Sequence, residues 1–529
     1  MRDTIFVKTN TAAKVSIEVT NEIMILEIYE FFKYKDPNHK PNRFSKWDGV
    51  VRLFDKKKQT LPRGLVRTLF EFAKVANYDI KVDKGVFFNE KIELEEAEEY
   101  IESLKLTGKN ESGLFDLTPY DYQMAGFIEG VKNDSCVLLA DTNAGKTLML
   151  YMLTRFFCDL TSYSAKILII VPSVMLVTQM REDFEIFSSK DDRFDASCVH
   201  TISGGSNKYR AAPITISTWQ SIQNEDADFF TKYTHIFCDE VHGASAEKIS
   251  YILNSCVNAY KRIGVTGSLR DTELHTLQIT AHFSKLVRIA TTQMLKERRQ
   301  SADMVVRVLN LKYSRGDSIL MNKLDYEGRI RALTSSKSRN ELITKMALHL
   351  KGNSLLLFMR KKHSKAVYDA LQAAGHPSVY RIDGEVPESV RTEIKKAIED
   401  GENVILCASF GTVATGVSIR RLHNLVLCHP VKSIILVLQA IGRMLRTHST
   451  KEVANVIDLV DDFRVSNSQR DPFIVHASKR YGYYKSKGHP VVTKVVDRKN
   501  EKYLEVSEAA LILEDSEKRR EAKRRFSGE

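Results

Sequence analysis

At 529 residues the chain is too long for one hydrophobic core, and domains of ~100–200 residues imply three or four of them. A composition 43% hydrophobic and 28% charged, with no apolar run near the ~18–20 residues that span a bilayer, excludes a helical membrane protein. The net charge of +12 suggests a polyanionic partner, nucleic acid first, although charge alone leaves a merely basic protein equally open.

The seven cysteines stand singly, several of them in apolar strand-like runs, which indicates buried reduced thiols rather than zinc ligands or disulfides. No apolar secretion-type stretch follows Met1, so the expected location is cytoplasmic.

Residues 1–112 form the first expected domain. Residues 15–19 alternate like a strand, and 24–32 have the pattern of a helix. A basic, aromatic, turn-rich stretch follows, then a strand at 50–55 and a helix over 66–76. Arg43, Lys46, Arg52, Lys56, Lys57, Lys58, Arg63 and Arg67, interleaved with Phe44 and Trp47, fit a surface that holds a phosphate backbone. The alternative is that the two rings are core anchors and the charges a solvated rim. Residues 91–104 are acidic and helical.

A second domain, 113–299, carries strand-like runs at 137–140, 167–171, 214–217, 235–238 and 262–267, each trailed by a turn and a helical pattern. That alternation predicts a parallel sheet with helices on both faces. The pattern repeats over 300–465, with runs at 305–311, 354–358, 379–382, 404–408, 425–427 and 454–458. Residues 466–529 are a basic C-terminal extension ending in a solvated charged tail.

The chemistry begins at residues 140–147, where a buried strand turns into a helix through Asn143-Ala144-Gly145-Lys146-Thr147. A small-residue loop at that junction points helix amides and the positive dipole end at an anion. Lys146 would meet the outer phosphates of a nucleotide, and the Thr147 hydroxyl would bind its magnesium ion. Asp239-Glu240 ends a later apolar strand. There Asp239 would hold the metal through water and Glu240 would polarise the attacking water, with His242 coupling the site to its neighbours. In the other half, Gln439 to Arg446 lie on an expected helix that puts Arg443 and Arg446 on nearly one face. Arginines facing a γ-phosphate stabilise transition-state charge, an effect of ~10³–10⁵ in rate elsewhere. Two halves with a single phosphate loop suggest a nucleotide site in the cleft between two domains.

In family order, these motifs make the chain resemble a superfamily 2 DExH helicase, which implies two tandem RecA-like domains as the core of an α/β protein with a small α+β N-terminal domain. The resemblance assigns Tyr122 and Gln123 to adenine reading and Gly416 to nucleotide contact. It assigns Pro172, Ser173, Gly204, Gly205, Thr218, Arg360, Gly384, Thr412 and Thr415 to strand contact, and Thr266 and Ser268, with His242, to coupling. Departures include Tyr120 where Arg is frequent, Gly267 within the third motif, and Ser418 where Asp is common. Residues 44–55 and 61–66 are similar to the N-terminal DNA-binding domain of the bacteriophage UvsW recombination and branch-migration helicase family. That similarity implies ATP and Mg2+ as cofactors, branched or forked DNA as partner with Arg43, Lys46, Trp47 and Arg52 contacting it, and RNA–DNA hybrids as a further substrate; a working monomer is the expected state, which no residue pattern fixes. Expected activities are fork regression, Holliday-junction branch migration and R-loop unwinding. An RNA helicase and a non-unwinding duplex translocase remain the alternatives.

Overall fold

The computed structural model of the chain describes residues 2–36, 39, 48–87, 90–110, 113–204, 208–243, 247–269, 272–298, 303–414, 419, 421–433, 436–437, 440–442, 453–466 and 468–498. They divide into two units, Met1–Thr291 and Thr292–Glu529. Among the described residues no helix is long and apolar enough to cross a membrane.

The first unit opens with alternating residues. In Thr4–Thr9 and Lys14–Val19, Ile5, Val7, Val15 and Ile17 all point to one buried face. These strands lie in a four-stranded mixed sheet, ordered Thr60–Pro62, Lys14–Val19, Thr4–Thr9, Asp79–Val82. The helices Ile23–Phe31 and Val66–Val75 cover that face with Met24, Ile28, Leu69 and Phe72.

This small domain is clasped to the sheet that follows it. The buried Arg63 guanidinium pairs with the Asp134 carboxylate, and its Nε donates to the Val86 carbonyl at 2.6 Å. Gly64 lies so close to the helix Glu273–Phe283 that an added Cβ would sit 1.9 Å from the Thr280 carbonyl. Arg63 is therefore a buried clasp and not part of a phosphate-holding surface. Its charge was legible in the sequence, but its partner lies 71 residues away.

The larger sheet of this unit is all parallel. Its order is Val199–Ile202, Ile214–Thr218, Ile167–Val171, His235–Asp239, Lys261–Thr266, Ser135–Ala140, Lys285–Ala290. Every residue of Ile167–Val171 is buried, as expected for a strand covered on both faces.

The second unit repeats the plan with another seven-stranded parallel sheet. It is ordered Val379–Ile382, Ile405–Ser409, Ser354–Phe358, Asn424–Leu427, Val453–Asp462, Asp303–Lys312, Val491–Asp497. Residues expected to form only a basic extension thus supply a helix, Pro472–Ser486, and an edge strand. That helix is locked by Arg480, whose guanidinium bridges Asp458 at 2.8 Å and donates to the Val431 carbonyl at 2.8 Å. A second buried arginine, Arg339, holds Asp461 and the Cys428 carbonyl, each at 2.9 Å. Residues 499–529, including the charged tail, lie outside the described residues.

Candidate active site

In a parallel sheet the loops beyond the carboxyl ends of adjacent strands share one edge, and ligands bind there. Leu139 pairs in register with Thr266, and Val265 with Asp239. The phosphate-type loop, the Asp-Glu pair and the third motif therefore leave three neighbouring strands side by side.

The loop between Ala140 and the helix Lys146–Leu160 turns through two left-handed residues, Asn143 (φ 72°) and Gly145 (φ 75°). Asn tolerates that region and Gly adopts it freely. The turn leaves the helix N-terminus open toward an anion. Gln123 braces it from behind, its Nε2 donating to the Ala144 carbonyl at 3.0 Å while its Oε1 accepts from the Tyr120 amide at 2.9 Å. A Cβ on Gly145 would fall 2.1 Å from that Nε2.

Tyr122, expected to contact the nucleotide, is instead buried at 3% exposure among core residues. Its ring stacks on Tyr120, with centroids 5.6 Å apart and planes at 19°. Tyr120 is the more exposed of the two rings, at 48%. A second aromatic two residues from the first was the available signal.

Lys146 Nζ lies 3.4 Å from the Ala140 carbonyl and 3.9 Å from Glu240 Oε1. Glu240 itself has φ 51°, a strained value for a residue with a side chain, and its amide donates to Asp239 Oδ1 at 2.8 Å. Glu240 Oε2 is 3.2 Å from His242 Nδ1 and 3.2 Å from the Thr266 hydroxyl. Thr266 Oγ1 also stands 3.0 Å from the Ser268 carbonyl, and His275 Nε2 is 2.8 Å from the His242 carbonyl. Of the residues expected to couple, His242 and Thr266 thus touch each other and the Glu240 carboxylate, and Ser268 touches Thr266.

The two acids are driven apart. Burial, with the Glu240 charge beside it, pushes Asp239 above the usual carboxylate range. Burial acts upward on Glu240 too, but Lys146, His242 and the Thr266 hydroxyl outweigh it and hold Glu240 below that range. Glu240 is thereby kept ionised.

Among the described residues no group of three or more His, Cys, Asp or Glu forms a metal cage. The hydroxyl of Thr147 and the carboxylate of Asp239 are hard oxygen donors. They fit an ion that brings its other ligands as water and phosphate oxygens.

The expected strand-contacting residues separate into two groups. Pro172 and Ser173 follow Ile167–Val171, and the exposed Gly204 follows Val199–Ile202, on the same edge of the first sheet. Gln220 Nε2 donates to the Pro172 carbonyl at 3.3 Å. Arg360 and Gly384 are exposed in the second unit, Arg360 paired with Glu327. Thr218 and Thr412, however, are 2% and 5% exposed. Their hydroxyls meet Ser221 at 2.8 Å and Ser409 at 2.7 Å, so they shape their loops from inside and do not present a hydroxyl to a strand. Arg52 is exposed, with Nε donating to the Tyr29 hydroxyl at 2.9 Å and its guanidinium paired with Asp48. Arg43, Lys46, Trp47, Gly205, Thr415, Gly416, Gln439, Arg443 and Arg446 lie outside the described residues.

Three families match in tandem. Residues 4–83 match the family described as DNA helicase UvsW, N-terminal; residues 95–271 match Type III restriction enzyme, res subunit; and residues 338–448 match Helicase conserved C-terminal domain. The ATP-dependent DNA helicase UvsW of Enterobacteria phage T4 is 31% identical over 465 residues, which is 86% of this chain and 89% of the relative. The crystal structure of T4 UvsW aligns with 28% identity and a TM-score of 0.49, covering 93% of this chain and 99% of that one. The Type ISP restriction-modification enzyme LlaBIII bound to DNA aligns with a TM-score of 0.53 at 15% identity, over 76% of this chain and 33% of that one, a likeness of fold alone.

Proposed function

This chain belongs to the UvsW family of ATP-dependent DNA helicases, and from that premise we propose that it works on branched DNA, regressing forks, migrating Holliday junctions and unwinding R-loops. The observation that carries the proposal is the N-terminal domain, matched to that family over residues 4–83 and clasped to the first motor sheet through Arg63 and Asp134. A domain held this way can keep a duplex arm in a constant position while the motor moves the strand. Residues 1–112 would engage the duplex, 113–299 and 300–465 would be the motor halves, the second completed by the helix and edge strand over 472–497, and one chain would suffice.

When bound, ATP with Mg2+ supplies the phosphoanhydride whose hydrolysis drives translocation. The amides of Gly145 and Lys146 at the helix start, with the Lys146 ammonium, would cradle the phosphates, and Thr147 and Asp239 would hold the magnesium ion. Tyr120 stacks on the base, and Gln123 links that end of the site to the loop at Ala144. Glu240 takes the proton of the attacking water. By family resemblance, Gln439, Arg443 and Arg446 would steady the charge that develops. The contacts among Glu240, His242, Thr266 and Ser268 transmit the state of the site to the rest of the first unit.

Pro172, Ser173, Gly204, Gly205, Arg360, Gly384 and Thr415 would line the path of the strand. Their contacts would fall on phosphates, which carry no sequence information, so recognition is of DNA shape. Arg43, Lys46, Trp47 and Arg52 would hold the duplex arm. The test is a panel of fork, four-way junction, R-loop, linear duplex and RNA substrates assayed with ATP. Remodelling of the branched substrates above linear duplex is expected. Equal stimulation by RNA, or turnover on linear duplex with no strand separation, would overturn it.

A further inference from the structure

The hairpin region 50–62 of the N-terminal domain does not lie flat on the motor sheet. Between them is a cavity of about 720 Å³, lined on one side by Lys14, Arg52, Lys56 and Lys57 and on the other by Asn254 and Gln278 of the motor helices. Arg52 is tied to Asp48 and Tyr29. Lys14, Lys56 and Lys57 have no carboxylate within ion-pair distance among the described residues. Asp55, the carboxylate among the lining residues, accepts from the amides of Lys57 and Lys58, each at 3.0 Å, and also feels the charges of Lys58 and Lys14. Against Asp55, the carboxylate of the lining, Lys14, Lys56 and Lys57 leave an excess of positive charge around an open polar cavity with amide groups opposite, an arrangement that an anion completes.

We propose that this cavity takes a run of phosphodiester backbone from a DNA arm, gripped from both sides, by the lysines of the N-terminal domain and the amides of Asn254 and Gln278. This deepens the proposed function and rests on its DNA reading. The consequence is specific: the N-terminal domain and the first motor sheet would hold the same phosphates, so the arm would be fixed to the nucleotide-binding half of the motor. Neither side alone would bind as well.

The test is forked-DNA binding by the full chain, measured by fluorescence anisotropy across salt from about 50 to 200 mM. The triple variant Lys14→Ala, Lys56→Ala, Lys57→Ala should lower the slope of log affinity against log salt by about two to three, at ~0.9 per lost phosphate contact. Asn254→Glu, which keeps all the lysines and sets a carboxylate on the motor side, should weaken fork binding at least tenfold. A wild-type slope in the triple variant would overturn the proposal. An effect of the triple variant with none from Asn254→Glu would also overturn it, leaving a site on the hairpin alone. Thermal unfolding of each variant identifies a folding defect, in which case Asn254→Glu decides. If the wild-type chain shows no salt-dependent binding to any DNA, the DNA reading fails and not merely the cavity.

Discussion

The Thr266 hydroxyl and the Glu240 carboxylate meet at 3.2 Å at the ends of neighbouring strands, with His242 Nδ1 also 3.2 Å from that hydroxyl. Thr266 is wholly buried, so this contact is closed to water on its own side. Thr266→Val keeps the shape and deletes the hydroxyl. A hydrogen bond to a charged group contributes about 1.5–3 kcal/mol, so ATP turnover should fall about tenfold or more. Strand separation per ATP should fall further. Turnover and unwinding measured on one preparation check this; proportionate losses would remove the coupling role.

Lys146→Ala and Glu240→Gln address the chemistry itself. Loss of a positioned general base costs about 10²–10⁴ in rate, and DNA-stimulated ATP hydrolysis should drop by that much in Glu240→Gln. Lys146→Ala should lose nucleotide affinity as well. Undiminished turnover in either would refute the assignment of the site.

The two stacked tyrosines have opposite expected phenotypes. Tyr120→Ala removes an exposed ring, so KM for ATP should rise about threefold to tenfold, a stacking contribution of about 0.5–1.5 kcal/mol, with kcat largely retained. Tyr122→Ala empties a buried position and should lower the melting temperature. Steady-state kinetics and thermal unfolding on both variants separate the roles, and a KM effect confined to Tyr122 would reverse them.

Breaking the clasp should loosen the N-terminal domain. Arg63→Ala takes the guanidinium away from the buried Asp134 carboxylate, a loss of about 3–5 kcal/mol for such a pair. Protease cleavage and hydrogen exchange in residues 4–83 should rise while the phosphate loop stays protected. Uniform protection throughout would show the clasp to be dispensable.

Acid should destabilise the first unit through its buried histidines. Burial, aided by Lys261, pushes His235 down to about 3, against about 6.5 unfolded. Burial, aided by Arg262 and Lys14, does the same to His282. Below pH 6.5 the unfolded chain takes up protons that the folded chain refuses. Stability is therefore full above that pH and declines down to about 3, by about 1.4 kcal/mol per pH unit for each group. Melting curves at pH 7.5 and 5.5 should differ less in His235→Gln than in the parent chain.

The strongly apolar strands were the legible part of the fold. Residues 167–171 and 354–358 are central strands whose every side chain is buried, so their composition announces them. Edge strands do so unevenly: Val379–Ile382 matches the run expected at 379–382, but Val199–Ile202 has no such run. Lys285–Ala290 and Val491–Asp497 have one neighbour each and keep charged residues on an open face, and neither was foreseen. The loop, the acid pair and the third motif were readable because each needs particular side chains at a strand's end. Burial was not readable: nothing local distinguishes Tyr120 from Tyr122, or Arg63 from Arg67. Those differences depend on partners brought from elsewhere in the chain.

The late edge strand also bears on where this protein can be shortened. Asp303–Lys312 runs between Val453–Asp462 and Val491–Asp497, and the Arg480 clamp on Asp458 comes from the intervening helix. Ending the polypeptide at 465, after the last helicase motif, would bare a row of backbone amides and carbonyls along Asp303–Lys312 and strand a buried aspartate without its counter-ion. The recognisable helicase portion therefore ends before the piece that can fold, and an excised second half needs its residues up to 498.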